Sequence, residues 1–148
     1  MSYKGKYKIK KKQKYAGDAS KVVYRSLWER QCFRWCEDNP KVKFWNSEEV
    51  VIPYKYEVDK RLHRYFVDLL VQMENGETYL IEIKPKKETV PPKKPNRKSK
   101  KYLKEVLTYV KNTNKWSAAS EYADAKGWKF QIWTEDTLKN LGIKLLKS

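Results

Sequence analysis

Between residues 67 and 83 apolar side chains recur at alternate positions, and outside that stretch they recur every three or four. Alternation is the signature of a strand, and the longer period that of a helix with one buried face. The pattern predicts strands over about 64–73 and 78–84, joined at Glu74-Asn75-Gly76. A β-branched run, Glu49-Val50-Val51-Ile52-Pro53-Tyr54, adds a strand that its proline stops or places at an edge. Ser26-Leu27-Trp28-Glu29 reads as a capping box opening a helix that carries Trp28, Cys32, Trp35 and Cys36 and ends at Asn39-Pro40. Ser99 caps a long helix whose stripe runs through Leu103, Val106, Leu107 and Val110, then Trp116, Ala119, Tyr122 and Ala123, to Gly127. Lys21-Val22-Val23-Tyr24 and Trp128–Trp133 are further short strands, and Thr134-Glu135-Asp136 starts a final helix. The resulting fold class is α/β, with a mixed β-sheet of about four strands flanked by helices.

The central hairpin has two candidate registers. A two-residue Asn-Gly turn pairs Glu74 with Glu77 and puts Asp68 and Glu82 on opposite faces. A three-residue turn with Gly76 left-handed pairs Met73 with Glu77 and sets Asp68 directly opposite Glu82, with Lys84 further along the same face. In the second register one face carries Val67, Leu69, Val71, Met73, Tyr79, Ile81 and Ile83 and no charge. A one-residue slip mixes charges into that face, so the three-residue turn is the expected one.

Charge changes the picture next. Thirty-four Lys and Arg against eighteen Asp and Glu give a net charge of +16. The excess is clustered: seven lysines lie in the first fourteen residues, and residues 84–104 hold ten basic residues against Glu88 alone. Such a surplus repels itself and points to a polyanionic partner, with nucleic acid ahead of a membrane surface because neither basic stretch has an amphipathic period. Residues 1–16 read as a flexible basic arm ahead of a single domain over 17–148, and residues 85–98 as an exposed loop. Lys86, Lys87, Lys93, Lys94, Arg97, Lys98, Lys100 and Lys101 are candidate DNA-backbone contacts. No apolar run reaches a membrane span and the N-terminus has no apolar signal core, so the expected setting is cytosol or an assembly made there. Cys32 and Cys36 lack a histidine pair for zinc and read as small core residues.

Two facing carboxylates and a lysine suit metal-assisted phosphodiester hydrolysis. Asp68 and Glu82 supply hard oxygen ligands for Mg²⁺, which binds few carboxylates and keeps several waters, and Mn²⁺ is a candidate substitute. The Ile83 carbonyl is a further candidate ligand, and Lys84 can orient water or neutralise a phosphoryl group. The bland alternative is a surface ion pair between Lys84 and one of the acids.

The run Ile52-Pro53-Tyr54, Arg64-Tyr65-Phe66-Val67-Asp68, Gly76 and Ile81-Glu82-Ile83-Lys84-Pro85 resembles the PD-(D/E)XK nucleases, in the branch that includes TnsA-like transposon endonucleases. Val67 stands where that family usually has proline. The resemblance implies a restriction-endonuclease-like core. Arg25-Ser26-Leu27-Trp28-Glu29-Arg30 also matches the branch, which implies Glu29 as an auxiliary metal ligand; the helix cap explains the same glutamate equally well. Tyr15-Ala16-Gly17-Asp18, Trp45-Asn46-Ser47-Glu48-Glu49 and Lys129–Glu135 are similar to the head-completion nucleases of T-even-type tailed phages. That similarity implies a late protein of virion assembly, in the virion or the host cytoplasm, acting on the packaged DNA end. Its implied partners are double-stranded DNA, including ends or branched forms, and phage portal, neck or capsid proteins. The expected function is a Mg²⁺-dependent DNA endonuclease with little sequence specificity; the alternative is a non-catalytic, DNA-binding head-completion protein on a nuclease fold. His63, five residues before Asp68, reads as structural ahead of a general base, Gln131 as either a site neighbour or a plain hydrogen-bonding residue, and Glu48 and Glu49 as a solvated strand start ahead of residues assisting the metal.

Overall fold

The computed structural model describes residues 4–146. Its elements are β1 (Gly5–Lys6), β2 (Val23–Tyr24), α1 (Leu27–Asp38), β3 (Val42–Asn46), β4 (Val51–Tyr56), β5 (Arg61–Phe66), β6 (Leu69–Met73), β7 (Thr78–Ile83), α2 (Lys100–Lys126), β8 (Lys129–Trp133) and α3 (Glu135–Asn140). The central mixed sheet has the order β3-β6-β7-β8, antiparallel except for the parallel β7–β8 pair. β4 and β5 form a separate antiparallel hairpin, and β1 pairs with β2. The fold is restriction-endonuclease-like.

The hairpin register is the three-residue one. Leu69 pairs with Ile81, Val71 with Tyr79 and Gln72 with Thr78. Met73 donates its N–H to Glu77 at 2.8 Å, and Gly76, at φ +93°, donates to Met73 at 2.9 Å. That left-handed turn residue is where a side chain is disfavoured and glycine is not.

Both faces of the sheet are buried. Leu69, Val71, Ile81 and Ile83 pack with Trp45 against Cys32, Phe33 and Cys36 of α1. Leu70 and Leu80 pack against Trp116, Ala119 and Ala123 of α2, together with Ile52, Tyr54 and Tyr65 of the β4–β5 hairpin. Cys32 and Cys36 are free thiols inside the first core. Ser26 caps α1 by accepting the Glu29 N–H at 3.2 Å, Ser99 caps α2 by accepting the Tyr102 N–H at 3.1 Å, and Gly127 ends α2 at φ +74°.

Four expectations are corrected. The strand expected over 64–73 breaks at Val67-Asp68, so its first half pairs with β4 and only its second half joins the main sheet. Val67 therefore joins the α2-side core instead of the face expected for it. The edge strand beside β6 is β3, not the run at 49–54; a bulge between Val42 and Phe44 breaks its alternation and hides it from a period-two reading. Leu103 and Leu107 are 53 % and 46 % exposed, so the first turns of the α2 stripe cover no core, and packing begins at Val110.

The fourth correction concerns the basic arm. From Lys4 onward it is folded, with Tyr7, Ile9 and Tyr15 buried, while residues 1–3 lie outside the described residues. Buried Glu37, at the end of α1, accepts the Tyr7 hydroxyl at 2.5 Å and the N–H groups of Lys10 and Lys11 at 2.8 Å. The Lys14 ammonium donates to the carbonyls of Cys36 and Asn39 at 2.9 Å and of Glu37 at 3.1 Å, where the helix leaves carbonyls unpaired and its dipole favours a cation. Glu37→Ala strips three donors of their acceptor and is expected to cost about 2–4 kcal/mol in urea unfolding. A flexible arm would make the same substitution neutral.

Candidate active site

The break at Val67-Asp68 places the aspartate at the mouth of β6, level with the end of β7. Continuing the Leu69–Ile81 ladder by one residue brings Asp68 opposite Glu82, on the α2 side of the sheet with Leu70 and Leu80. Asp68 Oδ2 accepts the Ile83 N–H at 2.8 Å. Glu82 is 5 % exposed, and its Oε1 accepts the hydroxyl of buried Tyr65 at 2.7 Å. Lys84 Nζ lies 3.7 Å from Glu82 Oε2, too loose a pairing to account for the whole cluster. One oxygen of each acid is thus fixed by a protein donor.

The N-terminal turn of α1 reaches the same end of the sheet. The Glu29 Oε1 accepts the Arg25 N–H at 3.3 Å, and Arg25 forms a bidentate pair with Glu48 at 2.8 and 3.0 Å. Burial, then the charge of Glu48 and less so of Glu82, push the Glu29 carboxyl up to about 7, against the opposing Arg25 N–H. Asp68 is held well above the usual carboxylate range by burial, then by Glu82 and Glu29, with the Ile83 N–H and Lys84 working the other way. Like charges gathered this closely favour a bound cation. The donor set also fits one: hard carboxylate oxygens beside a main-chain carbonyl, the ligand type Mg²⁺ takes. Among the described residues no three Asp, Glu, His or Cys side chains close into a metal cage, so water and phosphate would complete the coordination.

The structure thus brings together Asp68, Glu82, Lys84 and Glu29, and it aims the Ile83 N–H, hence that peptide edge, at Asp68. The capping box is only half formed: Ser26 accepts the Glu29 N–H, but the Glu29 carboxylate takes the N–H of Arg25 instead of Ser26, and its charge acts on the acids. Glu48 is no solvated strand start: it sits at φ +57° with Arg25 locked on it. Glu49 accepts the Tyr15 hydroxyl at 3.0 Å and the Asp18 N–H at 3.1 Å, and a Cβ on Gly17 would come within 2.4 Å of its carboxyl group. The runs at 15–18 and 45–49 meet there. Gln131, level with Ile81, accepts the Trp133 indole N–H at 3.0 Å on the α1 side, away from the acids. His63 pairs with Asp59 at 2.7 Å, clear of the site.

All eight basic residues from Lys86 to Lys101 are exposed; Lys86 is drawn to α3, its N–H donating to Glu135 at 2.7 Å and its ammonium 3.4 Å from Asp136. Three neighbours of the acids carried little signal in the sequence. Tyr65 lies three residues before Asp68, across a strand break that the alternation conceals. Arg25 precedes the capping serine. Lys115 interrupts the apolar stripe of α2, and its ammonium lies 5.5 Å over the Tyr65 ring.

This arrangement defines an endonuclease of the PD-(D/E)XK type, and the chain belongs to the family described as TnsA-like endonuclease N terminal, whose model matches residues 39–135. The match takes in Asp68, Glu82 and Lys84 and begins after α1, so Glu29 lies outside it. Over 97 % of its length the chain is 44 % identical to the head completion nuclease of Enterobacteria phage T4, of which it covers 99 %. Among the described residues no helix is long and apolar enough to cross a membrane.

Because the folded state holds a proton on Glu29 that the unfolded chain releases, metal-free stability is lost as pH rises from about 4.5 to about 7. Glu29→Gln removes that loss while keeping an acceptor for the Arg25 N–H. In EDTA, the Tm of Glu29→Gln minus that of wild type is expected to grow through this window. A difference that stays flat would contradict the geometry.

Proposed function

We propose that this protein is a Mg²⁺-dependent DNA endonuclease with little sequence specificity, which processes the packaged DNA end during phage head completion. The observation that carries the reading is the β6–β7 register, whose ladder reaches Leu69–Ile81, one step from Asp68 and Glu82, with Lys84 3.7 Å from Glu82. Asp68, Glu82 and the Ile83 carbonyl would hold the ion, with Glu29 binding it or one of its waters. The chemistry a bound Mg²⁺ supplies at such a pair is acidification of a water and polarisation of a phosphodiester oxygen.

The chain's own groups do the rest. Tyr65 fixes the rotamer of Glu82 through a 2.7 Å hydrogen bond, and the Ile83 N–H fixes Asp68 at 2.8 Å. The Lys84 ammonium is placed to hydrogen-bond the attacking water or a phosphoryl oxygen as charge builds on it. Exposed lysines beginning two residues later meet the DNA backbone. Among the described residues no recognition-helix or zinc-finger pattern offers base readout, which supports low sequence specificity. The relative's name motivates the head-completion role, and with it a setting in phage assembly beside portal, neck or capsid proteins.

Purified protein is expected to cleave linear or branched duplex DNA with Mg²⁺ or Mn²⁺ and to be silent in EDTA. Asp68→Ala should lower the rate by about a thousandfold while the protein stays folded. Unchanged cleavage by Asp68→Ala would sink the site assignment. Binding without metal-dependent cleavage of any substrate would favour the non-catalytic, structural reading.

A further inference from the structure

Lys84 is not the sole cation placed at the acids. α2 packs on the sheet face that carries Asp68 and Glu82, through Trp116, Ala119 and Ala123. Lys115 immediately precedes Trp116, and its ammonium lies 5.5 Å from the centre of the Tyr65 ring. The hydroxyl of that tyrosine is bonded to Glu82. Burial lowers the Lys115 pKa, Glu82 and Asp68 act on its charge attractively, and Lys84 and Lys111 repel it. The close acid contact at Glu82 belongs to Lys84, so an aromatic face, not a carboxylate, holds Lys115. Among the described residues no hydrogen-bond or ion-pair partner takes its N–H donors, which leaves them for another oxygen.

The helix face leading to Lys115 carries further basic and polar side chains. Lys101, Lys104, Thr108 and Asn112 follow one another at three- and four-residue steps and line a groove of about 660 Å³ between α2 and the loop at 87–93, where Lys87 and Lys93, together with the two helix lysines, outweigh Glu88 and Glu105 in charge. Lys115 is the next step on that face. The rise from Lys101 to Lys115 is about 21 Å, roughly six nucleotides along one strand of a duplex.

We infer that Lys115 is a phosphate-binding residue of the endonuclease site, meeting the DNA backbone at the cut from α2 while Lys84 acts from β7. The inference rests on the endonuclease reading above and extends the DNA contact surface past the lysine-rich loop. An ammonium there would offset phosphate charge that the neighbouring carboxylates otherwise repel, and the groove would guide the adjoining stretch of backbone. The competing role is structural, with the lysine stem merely covering Tyr65.

Lys115→Met keeps an aliphatic stem over Tyr65 and removes the charge; Lys115→Arg keeps the charge. Cleavage is measured in single turnover with Mg²⁺, DNA affinity in EDTA across a salt series, and Tm for each variant. Lys115→Met is expected to cleave about a hundredfold more slowly, to lose about 0.9 from the salt slope of binding, and to hold its Tm within a few degrees. Lys115→Arg should recover most of both properties. Should Lys115→Met fail to fold, Lys115→Gln gives the same reading at this half-exposed position. Wild-type rate and salt slope in the uncharged variant would overturn the inference while leaving the endonuclease intact. So would a rate loss that follows Tm with an unchanged slope. A wild type inert toward every DNA would fail the endonuclease reading itself.

Discussion

Everything at the candidate site depends on the register of one hairpin. Side chains alternate along a strand, so a shift of a single residue in β6 against β7 would move Asp68 to the face opposite Glu82. Two things hold the register. Gly76 supplies the left-handed residue that closes a three-residue turn, and the apolar residues on both faces of the sheet fit their cores in one alignment only. The carboxylates are brought together by packing that would be satisfied without them. Their mutual repulsion is a cost the hydrophobic framework carries, and the proposed divalent cation would offset it.

A second constraint is the break before β6. A continuous strand would run Asp68 through the middle of a ladder, flanked by backbone on both sides. The chain instead leaves the β4–β5 hairpin at Phe66 and enters the main sheet at Leu69. Val67 bridges the gap, donating its N–H to Val50 and accepting that of Glu48, each at 3.0 Å. Asp68 therefore emerges where two sheets diverge, open to the N-terminal turn of α1 on one side and to α2 on the other. The charges of Glu29 and Lys115 act on it from these two directions. The same junction sets Glu48 at a positive φ and ties it to Arg25, and backbone strain of this kind collects at functional sites.

Much of this geometry was legible in the sequence because the central hairpin obeys a strict alternation and its turn residue is diagnostic. Asp68, Glu82 and Lys84 all follow from that register. What escaped notice lies where periodicity fails. β3 is bulged, the strand before Asp68 changes partners, and the N-terminal segment looks like a solvated charge run although Tyr7, Ile9 and Tyr15 anchor it. In that segment the lysines alternate with the residues that are buried, and composition hid the pattern. The first turns of the α2 stripe erred in the other direction: Leu103 and Leu107 keep helical spacing with no partner surface beneath them. Lys115 and Tyr65 depend on contacts between distant segments, which no local pattern encodes.

The central claim is that Asp68 and Glu82 form one divalent-cation site through this register. Anomalous diffraction from crystals of the protein grown with Mn²⁺ and uncleaved DNA would test it most directly. The account predicts a manganese peak within bonding distance of both carboxylates, beside the Ile83 carbonyl. A peak bound elsewhere, or carboxylates turned away from each other with no metal between them, would contradict it.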